Sequence, residues 1–350
     1  MRCFFAIAAA ATALALAGSA AAAEAGKCRV GRIAEWPLRA EQYRPVLDGA
    51  INGQKIGILI DTGADSSLVH RSAAARLGLT RYRLPGARSF GIGGETTAES
   101  VHIDEFRIGE SVRKGWDVLV AGEGGFSEDI AVLLGDDFFQ QADVEFDLAH
   151  DAVRLYETKG CEGVSLAYWA TTEPAGEVPI EAGLRIRLTV VINGKPVRAQ
   201  LDSGAGYSIL SKPDAARLGV TPESPGIVAA GCLRGLGEKQ TDSWFGQFES
   251  FAIGNERIRN PKIRFADLWQ HVTYTETGSR LPTNFALAGR PDMLLGSDFL
   301  RAHRVLVSRS QRKMYFTYAG GTVFPSKPSK GCNQSSSGGS SAGPPKQGEK

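Results

Sequence analysis

The chain has 350 residues, 43% of them apolar and 22% charged, with a net charge of +2. That length accommodates two domains of ordinary size, and the balance of charge gives no case for nucleic acid or an anionic membrane surface as the main partner. The 42 glycines suit a turn-rich, mostly β protein better than a helical one.

The chain opens with Arg2, an apolar run from Phe4 to about Ala17, and small residues ending in Ala21-Ala22-Ala23. This order predicts a secretory signal peptide over 1–23. An uncleaved membrane anchor is the competing interpretation, because the run from Phe4 to Ala23 is nearly long enough to span a bilayer. Cleavage removes Cys3 and leaves Cys28, Cys161, Cys232 and Cys332. An even cysteine count in an exported protein, periplasmic or secreted, favours disulfides, and four cysteines allow three pairings. Cys28 and Cys161 flank the first half of the chain. We therefore expect Cys28–Cys161 there, and Cys232–Cys332 fastening the tail to the second half.

Further along, the chain repeats itself. Ile51-Asn52-Gly53-Gln54 matches Ile192-Asn193-Gly194-Lys195. Each carries Asn-Gly between strand-like runs, a strong hairpin signal. Strands from Lys55 to Ile60 and from Val197 to Leu201 lead into Asp61-Thr62-Gly63-Ala64 and Asp202-Ser203-Gly204-Ala205. Short helices from Ser72 to Leu77 and from Pro213 to Leu218 stop at Gly78 and Gly219. These matches share an offset of 141 residues. Leu133-Leu134-Gly135 then matches Leu294-Leu295-Gly296 at an offset of 161, so the second copy carries insertions, the larger between Gly254 and Leu294. Val144 to Asp147 and Val153 to Tyr156 alternate around a turn and predict another hairpin, and Leu184 to Val191 alternates as well. A long unit used twice means a duplicated domain and not a solenoid. From Ser326 the chain becomes rich in Ser, Gly and Pro, with no apolar face to bury, and disorder is expected over 326–350.

Each Asp follows an apolar strand and enters a turn in which Gly63 or Gly204 permits a sharp bend and Thr62 or Ser203 offers a hydroxyl to pin it. A pseudo-twofold relation would bring the two carboxylates together. Such a pair shares a proton, holds a water, and supplies both a base for that water and an acid for a carbonyl. An Asp in an Asp-x-Gly turn is often a plain turn former. Turn chemistry alone does not explain why both copies carry the same Leu-Leu-Gly segment downstream. Asp65 has no counterpart, since Gly206 stands there, and reads as structural or as part of a substrate rim. Asp137 and Asp298 recur in both copies, and we expect them to cap the helix that follows.

Asp61-Thr62-Gly63-Ala64-Asp65 with Leu133-Leu134-Gly135 resembles the retropepsin family of aspartic proteases, and Asp202-Ser203-Gly204-Ala205 with Leu294-Leu295-Gly296 resembles a second such unit. The resemblance covers roughly 45–160 and 180–320. It implies an all-β fold with two retropepsin-like β-barrel lobes, a central cleft and few short helices. The lobes would span 24–160 and 161–325. It also implies an aspartic endopeptidase with Asp61 and Asp202 as catalytic residues, Thr62, Gly63, Ser203 and Gly204 as turn supports, and an extended polypeptide as substrate. Phe90-Gly91-Ile92-Gly93-Gly94 stands where a first flap belongs, and the segment from Gly231 to Gly237 where a second belongs. A single chain carries both turns, so a monomer suffices. No cofactor or metal is expected: the five histidines do not cluster, and no Gly-x-Ser-x-Gly elbow or phosphate loop is present. The alternative is a non-catalytic, protease-like peptide-binding protein of the cell envelope.

Overall fold

The structure, a computed structural model, describes residues 28–41, 44–122, 129–272, 289–329 and Cys332. The expected signal peptide, Tyr274 and Phe285 of the second-copy insertion, and the tail beyond Cys332 lie outside the described residues.

The duplicated hairpins form as their turn chemistry requires. Strands Arg44–Ile51 and Gln54–Ile60 turn at Asn52 and Gly53, with φ of 47° and 79°; Arg187–Ile192 and Lys195–Leu201 turn at Asn193 and Gly194, with φ of 49° and 73°. Two successive positive φ angles make the tight turn whose twist matches the flanking strands. The expected helices appear at Arg71–Arg76 and Lys212–Arg217. Ser211 caps the second, accepting from the Asp214 backbone N–H at 3.2 Å. The third expected hairpin is Asp143–Asp147 with Ala152–Lys159.

Among the described residues the strands form a 13-stranded and a nine-stranded sheet. The larger sheet crosses the boundary expected at 160/161. Strand Asp143–Asp147 of the first copy pairs with His303–Ser308 of the second, placing Phe146 opposite Val305 and Val144 opposite Val307. His303–Ser308 pairs in turn with Lys313–Tyr318, and that strand with Gly176–Pro179. The first strand, Arg29–Glu41, joins this platform to the first-copy sheet by pairing with both Ala152–Lys159 and Arg44–Ile51. The fold is all-β, with two sheet-rich lobes rising from a shared base.

Buried charge is paired along that base. Glu145 is fully buried and accepts hydrogen bonds from Arg154 at 2.6 Å and Arg304 at 2.7 Å. The Arg304 guanidinium also lies over the rings of Tyr168 and Trp169, at 5.2 Å and 4.6 Å. Both expected disulfides are present, Cys28–Cys161 and Cys232–Cys332. The first ties the ends of the first copy, and the second ties the tail to strand Val228–Leu233. No helix among the described residues is long and apolar enough to cross a membrane.

Candidate active site

Each aspartate is delivered by the end of a buried strand. Gln54–Ile60 runs parallel to Ile130–Leu134, and Lys195–Leu201 runs parallel to Met293–Leu295. The Asp61 N–H donates to the Leu134 carbonyl, and the Asp202 N–H to the Leu295 carbonyl, both at 2.9 Å. The turn then folds back on the carboxylate. The Gly63 N–H donates to Asp61 Oδ1 and the Ala205 N–H to Asp202 Oδ1, again at 2.9 Å.

The repeated Leu-Leu-Gly segment has a steric reason. A Cβ on Gly135 would lie 2.6 Å from the Ser66 carbonyl carbon, and one on Gly296 would lie 2.5 Å from that of Tyr207. Only glycine lets the active-site turn sit on this segment. Asp137 and Asp298 lock the same contact; the N-cap positions of their helices are Gly135 and Gly296, which carry no side chain, while Asp298 also accepts from the first-turn N–H of Phe299 at 2.9 Å. Asp137 accepts from the Ser67 N–H at 2.8 Å and hydroxyl at 2.7 Å. Asp298 accepts from the Ser208 N–H at 2.8 Å and hydroxyl at 2.6 Å. Each serine hydroxyl in turn accepts from the glycine N–H, at 3.0 Å for Gly135 and 2.9 Å for Gly296. A carboxylate aimed back at the turn was available where a cap was expected.

Thr62 and Ser203 bind the two turns to each other. The Thr62 hydroxyl donates to the Leu201 carbonyl at 2.9 Å and accepts from the Ser203 N–H at 3.0 Å. Reciprocally, the Ser203 hydroxyl donates to the Ile60 carbonyl at 2.8 Å and accepts from the Thr62 N–H at 3.0 Å. All four bonds are buried, where hydrogen bonds are least exposed to competition from water. They press Asp61 against Gly204 and Asp202 against Gly63 so closely that a Cβ on either glycine would collide with the opposite carboxyl group. The two carboxyl groups lie in each other's field. Burial, and then the charge of Asp202, raises Asp61 well above the usual carboxylate range; burial also raises Asp202. Such a pair titrates as a unit with one proton between them.

Sequence reasoning missed the roles of two arginines, one in the field of this pair and one bridging the lobes. Arg44 and Arg185 stand at the same spacing before Asp61 and Asp202, and that repetition was the available signal. Arg185 crosses between lobes to grip Asp65 with two bonds of 2.6 Å. Asp65 is therefore half of an inter-lobe bridge. Arg44 lies in the field of both Asp61 and Asp202; burial holds its pKa below the ordinary arginine value against their pull.

The Phe90–Gly94 segment forms the tip of a hairpin between strands Arg81–Gly91 and Gly94–Ile108, with Gly91 opposite Gly94. The second-copy segment is also a hairpin loop, between Val228–Leu233 and Thr241–Gln247. The tips meet. Gly93 bridges Gly237, and the Lys239 N–H donates to the Gly93 carbonyl at 3.0 Å. They also cross: Ile92 packs on the second-lobe cluster of Ile209, Ala266 and Leu294, and Leu236 on the first-lobe cluster of Leu68, Ala121 and Leu133. Trp269 joins the former cluster, and His271 lies beside Gly94, so the start of the second-copy insertion touches the first hairpin. The second hairpin is restrained at its stem by Cys232–Cys332 and by Ser329, whose N–H donates to the Ala229 carbonyl at 3.1 Å.

Among the described residues, one group has metal-ligand spacing: Cys232, Asp242 and Cys332, in which both sulfurs belong to the disulfide. A surface recess of about 730 Å³ between residues 256–262 and 318–326 contains neither Asp61 nor Asp202.

Residues 47–138 and 188–299 each match the aspartyl protease family, together more than half the chain. The chain belongs to the aspartyl protease family. The two family matches begin within the paired hairpins and end at or just after the Leu-Leu-Gly segments, so each contains one Asp turn and its glycine support. Among solved structures, a retropepsin-like aspartic protease from Rickettsia conorii aligns with 37% of this chain and 94% of its own, at 20% identity and a TM-score of 0.25. No curated protein matches the chain.

Proposed function

We propose that this member of the aspartyl protease family is an endopeptidase whose catalytic dyad is Asp61 and Asp202, with Thr62, Gly63, Ser203 and Gly204 holding the two turns. One observation carries the proposal: the reciprocal Thr62–Ser203 bonds seat each carboxyl group against the other turn's glycine. A pair that shares one proton has both a base and an acid available. In the proposed reaction a water lies between the carboxyl groups. The ionised member takes a proton from it as its oxygen bonds to the scissile carbonyl carbon. The protonated member donates to the carbonyl oxygen. Collapse of the resulting diol returns that proton to the dyad, a proton passes to the leaving nitrogen, and the C–N bond breaks.

The hairpin tips at Phe90–Gly94 and Gly231–Gly237 are proposed as flaps closing over an extended polypeptide, whose backbone would pair with them as an added strand. One chain, with lobes over 24–160 and 161–325, would suffice as a monomer. We further propose export to the periplasm or medium after removal of 1–23, which the two disulfides support.

Cleavage of a denatured-protein or peptide library by wild type, Asp61→Asn and Asp202→Asn tests the dyad. Loss of either carboxylate is expected to lower the rate by roughly 10²–10⁴-fold. Equal cleavage by all three refutes the assignment, and peptide binding without cleavage by any favours a non-catalytic binding protein.

A further inference from the structure

The two lobes share one strand plan, and one of the positions at which they differ carries a buried charge. In the first lobe, strand Ser111–Val120 runs parallel to Leu68–Val69 and sets Leu119 beside Leu68. In the second, Lys262–Ala266 runs parallel to Ile209–Ser211 and sets Arg264 beside Ile209. Leu68 and Ile209 are repeat partners, so Arg264 stands where the first lobe has Leu119.

Strand alternation fixes which way it faces. Ile263 and Phe265 enter the main core. Arg264 shares the opposite face with Ala266, which packs with Ile209, Leu294 and the hairpin-tip residue Ile92. The equivalent first-lobe face carries Leu119 in an apolar cluster with Leu68, Ala121, Leu133 and Leu236. Arg264 therefore lies on the cleft side of its sheet, below the hairpin tips.

Its surroundings leave the charge poorly compensated. Arg264 is 8% exposed. Its Nε donates to the Ser243 hydroxyl and one terminal nitrogen to the Ala230 carbonyl, each at 2.9 Å, and its guanidinium carbon lies 5.6 Å from the ring centre of Tyr207. All three partners are neutral. Burial pulls its pKa down to about 10, against Tyr207 and Asp298, and the Asp298 carboxylate is occupied by Ser208. A buried guanidinium held by neutral groups presents a field that an incoming carboxylate complements. The adjoining turn adds no negative charge, because Gly206 occupies the position of Asp65.

We propose that the second-lobe half of the cleft is a subsite for an acidic side chain of the substrate, with Arg264 as its specificity-determining residue. This rests on the peptidase reading above.

Matched peptides carrying Glu, Gln or Leu at each position flanking the cleaved bond test it. At one position on one side, wild type should cleave the Glu peptide with at least a tenfold higher kcat/KM than the Leu peptide, and added salt should shrink that ratio. Arg264→Leu should abolish or reverse the preference, and Arg264→Lys should keep it. Indifference of wild type to Glu at every position overturns the proposal, as does an Arg264→Leu protein with native melting behaviour that keeps the preference. Binding of the same peptides to Asp61→Asn, followed by fluorescence anisotropy, reads the charge preference without cleavage. Failure of the dyad assignment would leave that binding preference intact, whereas failure of the Arg264 assignment would remove it.

Discussion

Asp61 and Asp202 are packed so tightly that the fold pays for ionising them. An acid whose folded pKa lies above its unfolded value, about 4 for Asp, stabilises the fold fully below the unfolded pKa. That contribution disappears as pH rises through the folded value. Both aspartates are raised, chiefly by burial, so at neutral pH the dyad destabilises the native state. Asp61→Asn is expected to melt higher than wild type near pH 7, and the difference should close as pH falls towards about 4. Asp298, pushed up to about 6 by burial, has the same sign, while His70, pushed down to about 4 by burial, has the opposite one. Comparing wild type with the single variant at each pH cancels both. A gap that widens on acidification contradicts the sign.

Among the elements, the two hairpins are alike in position and unlike in restraint. The first is clamped at its stem by Arg71, which donates to the Thr97 hydroxyl at 2.7 Å and to Glu99 at 3.2 Å. The second is held by a disulfide and by pairing with the C-terminal segment. Both converge on Gly93 and Gly237. Gly237 has φ of 97°, and a Cβ there would collide with the Gly93 carbonyl. Gly237→Ala therefore opposes the closed arrangement through both backbone strain and contact, at a cost of about 1–3 kcal/mol. If closure precedes chemistry, kcat/KM should fall roughly tenfold for each 1.4 kcal/mol, with little change in melting temperature because the tip carries little of the core. An unchanged kcat/KM would show that tip contact is not required for turnover.

At the scale of the whole molecule, a shared sheet joins the two copies, and we expect them to unfold as one cooperative unit. Glu145 and Arg154 belong to the first copy and Arg304 to the second, so their buried network spans the junction. Removing Glu145 leaves Arg154 and Arg304 sharing Asp147, at 2.9 Å and 3.6 Å, so the lost hydrogen bonds and not a stranded charge set the cost, about 1–3 kcal/mol. Glu145→Ala should lose about that much stability in denaturant titrations, with both lobes shifting together. Two separate transitions, only one of them moved, would show that the lobes unfold independently. Cleavage assays and denaturation thus test different levels of the same architecture.

What was legible in the chain was local or repeated. Asn-Gly turns, alternation and Gly stops after short helices act within a few residues, so their physics is written where they stand; the Asp-x-Gly turns and the distant Leu-Leu-Gly segments that support them were legible because they recur together in both copies. The disulfide pairs were legible because Cys28 and Cys161 bracket the first copy, which leaves Cys232 in the second copy and Cys332 in the tail to pair with each other. Three features required coordinates. Thr62 and Ser203 had visible hydroxyls but no visible partners, because each bonds to the opposite copy. Strands Asp143–Asp147 and His303–Ser308 each showed a strand pattern, yet nothing in either names the other as its neighbour. Arg264 carries no signal in the sequence; parallel pairing places it at the position of Leu119 and alternation turns it away from the main core. Local chemistry settles turns and strand periodicity; which distant strands pair, and therefore which side chains face each other across the cleft, is a property of the folded sheet.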